Sequence, residues 1–153
     1  SPRGACHLRS TFYKAEFTGQ IDKDQVEGKA RLVIDYEDRL ALMDCLLLCR
    51  FHRDIFQWDE LPRIIESTTG LAMSKEQAEL WANALIQKTR AYNVREGLGP
   101  ETDTLPPRVF NEPTAEGASM RPEQLQAMLR DYNAIRRERE GHAGAVGAGA
   151  ATR

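Results

Sequence analysis

Apolar residues recur at helical spacing along much of the chain. Val33, Tyr36, Leu40, Met43 and Leu47 stand 3, 4, 3 and 4 residues apart, one stripe of an α-helix. Asp35, Glu37, Asp38 and Arg39 fill much of the other side, so the pattern predicts a helix from about Ala30 to about Leu48. Asp59 is placed to N-cap a short helix through Glu66, with Leu61, Ile64 and Ile65 inward and Gly70 as its stop. Pro62 falls in that helix's first turn, where its missing N–H costs little.

Ser74 and Gln77 form a capping-box signature. Ala78, Trp81, Leu85 and Tyr92 follow on one predicted face with Ile86 beside it, and Gly97 closes the helix. Residues 98–121 carry four prolines (Pro100, Pro106, Pro107, Pro113) and no period, the mark of a functional or unfolded loop. Pro122 opens a last helix bearing Leu125, Met128, Leu129, Tyr132 and Ile135, which ends in the mixed-charge run Arg136 to Glu140. The Gly/Ala-rich stretch from Gly141 is expected to be a disordered tail, and residues 1–24 to be polar and irregular. The fold class expected is all-α: about four helices with one long Pro-rich loop, forming one domain over residues 1–140.

Composition narrows the function classes. The chain has 153 residues, 41% apolar and 29% charged, which fits a folded domain and excludes wholesale disorder. Its apolar runs, Leu46 to Cys49 among them, fall far short of a membrane span. A net charge of −2 gives no reason to expect nucleic acid or an anionic membrane as partner. The start, Ser-Pro-Arg-Gly-Ala-Cys-His, has no basic and apolar leader and is expected to be a cut within a longer protein or a mature end. Three cysteines without such a leader point to a reducing, cytoplasmic setting.

Four segments could carry chemistry. Cys45, Cys49 and His52 would share one face if the helix continued, a spacing that can ligate a metal. The alternative is two half-buried cysteines and a surface histidine, since structural zinc takes four ligands and the other soft donors are only Cys6, His7 and His142. The segment Arg3 to Arg9 sets Cys6 and His7 between two arginines: either a ligand-approaching loop able to move protons or a solvated arm. Asp44 ends an apolar helix, where a carboxylate can accept hydrogen bonds from a heterocycle, or stands there by chance. Finally, Tyr92 to Gly97 precedes Asp103-Thr104-Leu105-Pro106-Pro107-Arg108, whose stiff prolines would fix Asp103 and Arg108 or merely connect two helices.

In order and spacing, these segments resemble the C-terminal domain of the tungsten-containing aldehyde:ferredoxin oxidoreductases. The resemblance rests on Arg3-Gly4-Ala5-Cys6-His7, Glu27-Gly28-Lys29-Ala30, Asp44 to Cys49, Thr69-Gly70, Tyr92 to Gly97 and Asp103 to Arg108. It implies a helical domain of an enzyme that oxidises aldehydes to carboxylates. Electrons would pass from a tungsten (or molybdenum) bis-pterin through a [4Fe–4S] cluster to ferredoxin. It implies Cys49 as a metal ligand, the cluster's fourth thiolate, with Asp44 and Leu48 as further cofactor contacts and Asp44 bonded to a pterin. It implies His7 as a catalytic proton carrier near the metal. The other three cluster cysteines would come from upstream domains or a separate subunit, so the chain by itself is expected to be inactive and to expose an apolar patch around Leu46 to Phe51. Leu47 stands where the family has Gly, and the family's usual C-terminal segment is replaced here. Other readings are a helical interaction module, a split subunit, or a related enzyme acting on an aromatic thioester.

Overall fold

Three long helices meet around the middle of the chain and bury its apolar stripes. The computed structural model describes residue 6 and residues 8–115 and 119–143. Six α-helices occur among them, and no strand: α1 (Tyr13–Phe17), α2 (Lys29–Cys45), α3 (Leu61–Thr69), α4 (Lys75–Arg95), α5 (Arg108–Asn111) and α6 (Pro122–Ala143). Single 3-10 turns lie at Arg50–His52 and Pro100–Thr102. The all-α expectation holds, and the four predicted helices are α2, α3, α4 and α6.

Helix α2 packs against both α4 and α6, which also pack on each other, while α3 lies against α4. Leu40, Leu42 and Met43 of α2 meet Leu61 and Ile65 of α3 and Ala78 and Ala82 of α4 in one buried cluster. The small side chains of α4 let its axis come close to α2. That turns Ala78, Ala82, Asn83 and Ile86 inward and leaves Trp81 and Tyr92, expected on the inner face, exposed.

Local signals set most ends. Ser74 Oγ accepts from the Gln77 N–H and the Gln77 side chain accepts from the Ser74 N–H, so the capping box forms as read. Gly70 ends α3 in the left-handed conformation. The N-cap of α3 is Glu60, not Asp59; Asp59 instead pairs with Lys75 at 3.1 Å.

Other expectations are corrected. Helix α2 stops at Cys45, so Leu47 leaves the inner stripe and is 92% exposed. The irregular N-terminal stretch contains α1, and the Pro-rich loop contains α5. The last helix does not end in the Arg136 to Glu140 run: α6 continues to Ala143, and Arg136 is buried against α2 and α4. The rest of the expected tail, residues 144–153, lies outside the described residues. No helix among those described is long and apolar enough to cross a membrane.

Candidate functional site

The turn after α2 closes with a Schellman arrangement. The Leu48 N–H donates to the Met43 carbonyl at 3.0 Å and the Leu47 N–H to the Asp44 carbonyl at 3.1 Å. This needs a left-handed residue between them, and Leu47 supplies it at φ +56°. Leu48 then folds back onto the core. Cys49 follows in extended backbone and is exposed.

Asp44 is held by two arginines. Arg50 Nε donates to Asp44 Oδ1 at 2.8 Å and Arg50 Nη2 to Oδ2 at 2.5 Å, and Arg9 Nη1 donates to Oδ2 as well. Arg50 also reaches the carbonyls of Leu8, Arg9 and Leu40. The arm carrying Cys6 thus meets the cysteine turn, joining two segments 35 residues apart. A cleft of about 330 Å³ between α2 and α4 runs past this cluster, lined by Arg9, Asp44, Cys45, Arg50, Leu85 and Thr89. Partial burial and the Asp44 charge push the Cys45 thiol up. His7 lies outside the described residues.

Because α2 ends at Cys45, Cys49 and His52 do not continue its face. No group of three or more His, Cys, Asp or Glu gathers to hold a metal among the described residues. Cys45 and Cys49 are both exposed thiols, so the described residues supply single soft donors at this turn and not the four thiolates of a complete iron–sulfur site. Asp44 already accepts three N–H groups, so its carboxylate has room for one further donor. Leu48 turns its side chain toward the core, and its N–H is taken by the Met43 carbonyl. The remaining candidates do not join this cluster: Asp103 lines a separate cavity of about 50 Å³ with Arg90 and Tyr132, and Arg108 pairs with Glu112 at 3.2 Å.

Phe51 and Ile55 project from the loop after Cys49 with 84% and 65% exposure. Arg39 braces that loop from inside, donating to the carbonyls of Arg53 at 2.7 Å and Phe56 at 2.9 Å. Of the stretch expected to be an exposed apolar patch, Leu47 and Phe51 are exposed while Leu46 and Leu48 pack against the core.

A buried ionic network escaped the sequence reading. Arg136 donates to Asp38 at 2.5 Å, Asn83 at 2.8 Å and Glu37 at 2.8 Å, and Tyr132 donates to Glu37 at 2.5 Å. Burial pushes Asp38 up to about 6, despite Arg136. Burial and the Glu37 charge also push Tyr132 up. Burial by itself would lower Arg136, but Asp38, Tyr132 and Glu37 outweigh it and hold it above its ordinary value. The signal was present in spacing: Leu125, Leu129, Tyr132, Arg136 and Arg139 stand 4, 3, 4 and 3 apart, so the apolar stripe of α6 runs on into two arginines.

The family model for aldehyde ferredoxin oxidoreductase, domains 2 and 3, matches residues 1–141. Among curated relatives, the tungsten-containing aldehyde ferredoxin oxidoreductase of Pyrococcus abyssi is 29% identical over 140 residues, 88% of this chain and 23% of that protein. Those of Pyrococcus furiosus and Thermococcus kodakarensis are 28% and 29% identical over the same shares. The chain spans about a quarter of the length of the curated relatives it matches. No solved structure matches it. A family model that covers nearly the whole chain makes the assignment: this chain belongs to the aldehyde ferredoxin oxidoreductase family.

Proposed function

We propose that this chain is the C-terminal helical part of a cytoplasmic enzyme that oxidises an aldehyde and water to a carboxylate, two electrons leaving for ferredoxin. The observation that carries the reading is the exposed Cys49 set at the end of α2, beside an Asp44 that two arginines hold in place. When bound, a tungsten (or molybdenum) bis-pterin supplies the two-electron chemistry and a [4Fe–4S] cluster carries the electrons away. In this reading Cys49 gives one thiolate, and the other three come from polypeptide outside this chain. Asp44 accepts one hydrogen bond from a pterin on its remaining lone pair. Leu48 anchors the turn in the core and meets the cofactor through its backbone. His7, next to Cys6 in sequence, moves a proton near the metal in this reading. The apolar surround of Cys49 excludes water and packs against the rest of the enzyme.

A second reading, a helical interaction module without catalysis, is favoured by Leu47, Phe51 and Ile55, which offer an apolar face where a cofactor would need a close approach. The two readings separate in the complete native protein by comparing Cys49→Ser with Cys45→Ser. Cys49→Ser is expected to strip or convert the cluster, measured as iron per protein and its electron paramagnetic resonance signal. Cys45→Ser is expected to leave both nearly intact. Retention of the cluster by Cys49→Ser would move the interaction module ahead.

A further inference from the structure

Arg50 follows Cys49 directly, and its guanidinium is fully occupied. It has five N–H donors in a planar fork. Nε and one Nη2 N–H go to the two oxygens of Asp44. The second Nη2 N–H goes to the Leu40 carbonyl at 3.3 Å, and the two of Nη1 go to the carbonyls of Leu8 and Arg9. The side chain is 17% exposed, so these bonds are largely shielded from competing water. One residue thus gathers three pieces of chain: the last turns of α2, the cysteine turn and the N-terminal arm. Within the arm, the Arg9 N–H donates to the Cys6 carbonyl at 3.3 Å.

We infer that Arg50 is a positioning residue, a five-bond clamp that sets the arm at Leu8 and Arg9 against the turn bearing Asp44 and Cys49. Asp44 is the second half of the clamp, because its carboxylate takes Arg9 from the arm and Arg50 from the turn on the same oxygen. The geometry requires a fork: a lysine ammonium has three donors around one point and cannot reach two carboxylate oxygens and three carbonyls together. The functional part of the inference rests on the reading of His7 and Cys49 given above. The clamp itself rests only on the hydrogen bonds.

The test uses the complete native protein with Arg50→Ala and Arg50→Lys. In Arg50→Ala, amide hydrogen exchange over residues 8–12 should rise roughly tenfold or more, while exchange across α4 stays unchanged. Iron per protein should stay level, since Cys49 remains. Aldehyde turnover should fall roughly tenfold or more in kcat with little change in KM, and the pH profile of kcat should move. Arg50→Lys should restore neither exchange nor kcat. Unchanged exchange over residues 8–12, an equal rise in α4, or full rescue by lysine would each overturn the clamp. An arm released with kcat and its pH profile unchanged would overturn its positioning role. Cys49→Ser reports separately: retention of iron there sinks the enzyme reading and leaves the exchange result standing.

Discussion

The Arg136 guanidinium donates to the Asp38 carboxylate at 2.5 Å across the seam between α2 and α6, and neither side chain is more than 2% exposed. Desolvating two charges costs several kcal/mol each, so such a pair persists only when its remaining donors and acceptors are met. Here Glu37, Asn83 and Tyr132 meet those of Arg136, and Arg139 reaches the second oxygen of Asp38 at 3.1 Å.

Removing the hub should therefore be costly. Arg136→Ala leaves Glu37 and Asp38 buried without their shared cation, and unfolding free energy should fall by about 3–5 kcal/mol in urea denaturation. A loss below about 1 kcal/mol would show that the network adds little to stability.

Asp38 should impose an unusual pH dependence. Its carboxyl is pushed up to about 6 from 3.8, chiefly because burial opposes its charge. The folded chain then holds this proton more tightly than the unfolded chain. The stabilisation is fully present below about pH 4 and is lost as pH rises through about 6. The difference in unfolding free energy between the parent and Asp38→Asn should shrink by on the order of 1–3 kcal/mol between about pH 4 and 7. Growth of that difference with pH would mean that Arg136 and Arg139 outweigh burial.

Leu47 holds a left-handed conformation that glycine adopts without steric cost. An L-residue there costs roughly 1–2 kcal/mol, and glycine returns part of that gain through its freer unfolded chain. Leu47→Gly should raise unfolding free energy by about 0.5–1 kcal/mol, whereas Leu47→Ala, with the same backbone cost, should not. Equal effects of the two variants in urea melts would rule out backbone strain as the cause.

Phe51 and Ile55 are exposed on a loop that Arg39 braces. Replacing either with Ser should change unfolding free energy by no more than about 0.5 kcal/mol. The pair of substitutions should lower binding of a hydrophobic fluorescent dye to the chain, because it removes two of the most exposed large apolar side chains among the described residues. Undiminished dye binding would locate the exposed apolar surface elsewhere.

Short-range chemistry was legible in the sequence. The Ser74 capping box, the stop at Gly70 and the helical stretches of α2, α3, α4 and α6 follow from signals within a few residues, which act before any tertiary contact forms. The motifs of the candidate site were visible as residue types in order, Asp44, Leu48 and Cys49 among them. The arginines that bind Asp44 were not. Arg50 and Arg9 are 41 residues apart, and only the packing of the arm on the end of α2 makes them partners of one carboxylate.

Periodicity also misjudged faces where polar residues turn inward. Glu37, Asp38 and Arg39 stand off the apolar stripe, where charge is ordinarily kept in water, yet they are buried because α2 is enclosed by α4, α6 and the Arg50–His52 turn. The sequence alone determined which stretches are helical and which residue types stand at their ends, since those depend on neighbours along the chain. Tertiary structure alone decided which charges are buried and paired, because that depends on counter-charges about 100 residues away, as Arg136 is from Glu37 and Asp38.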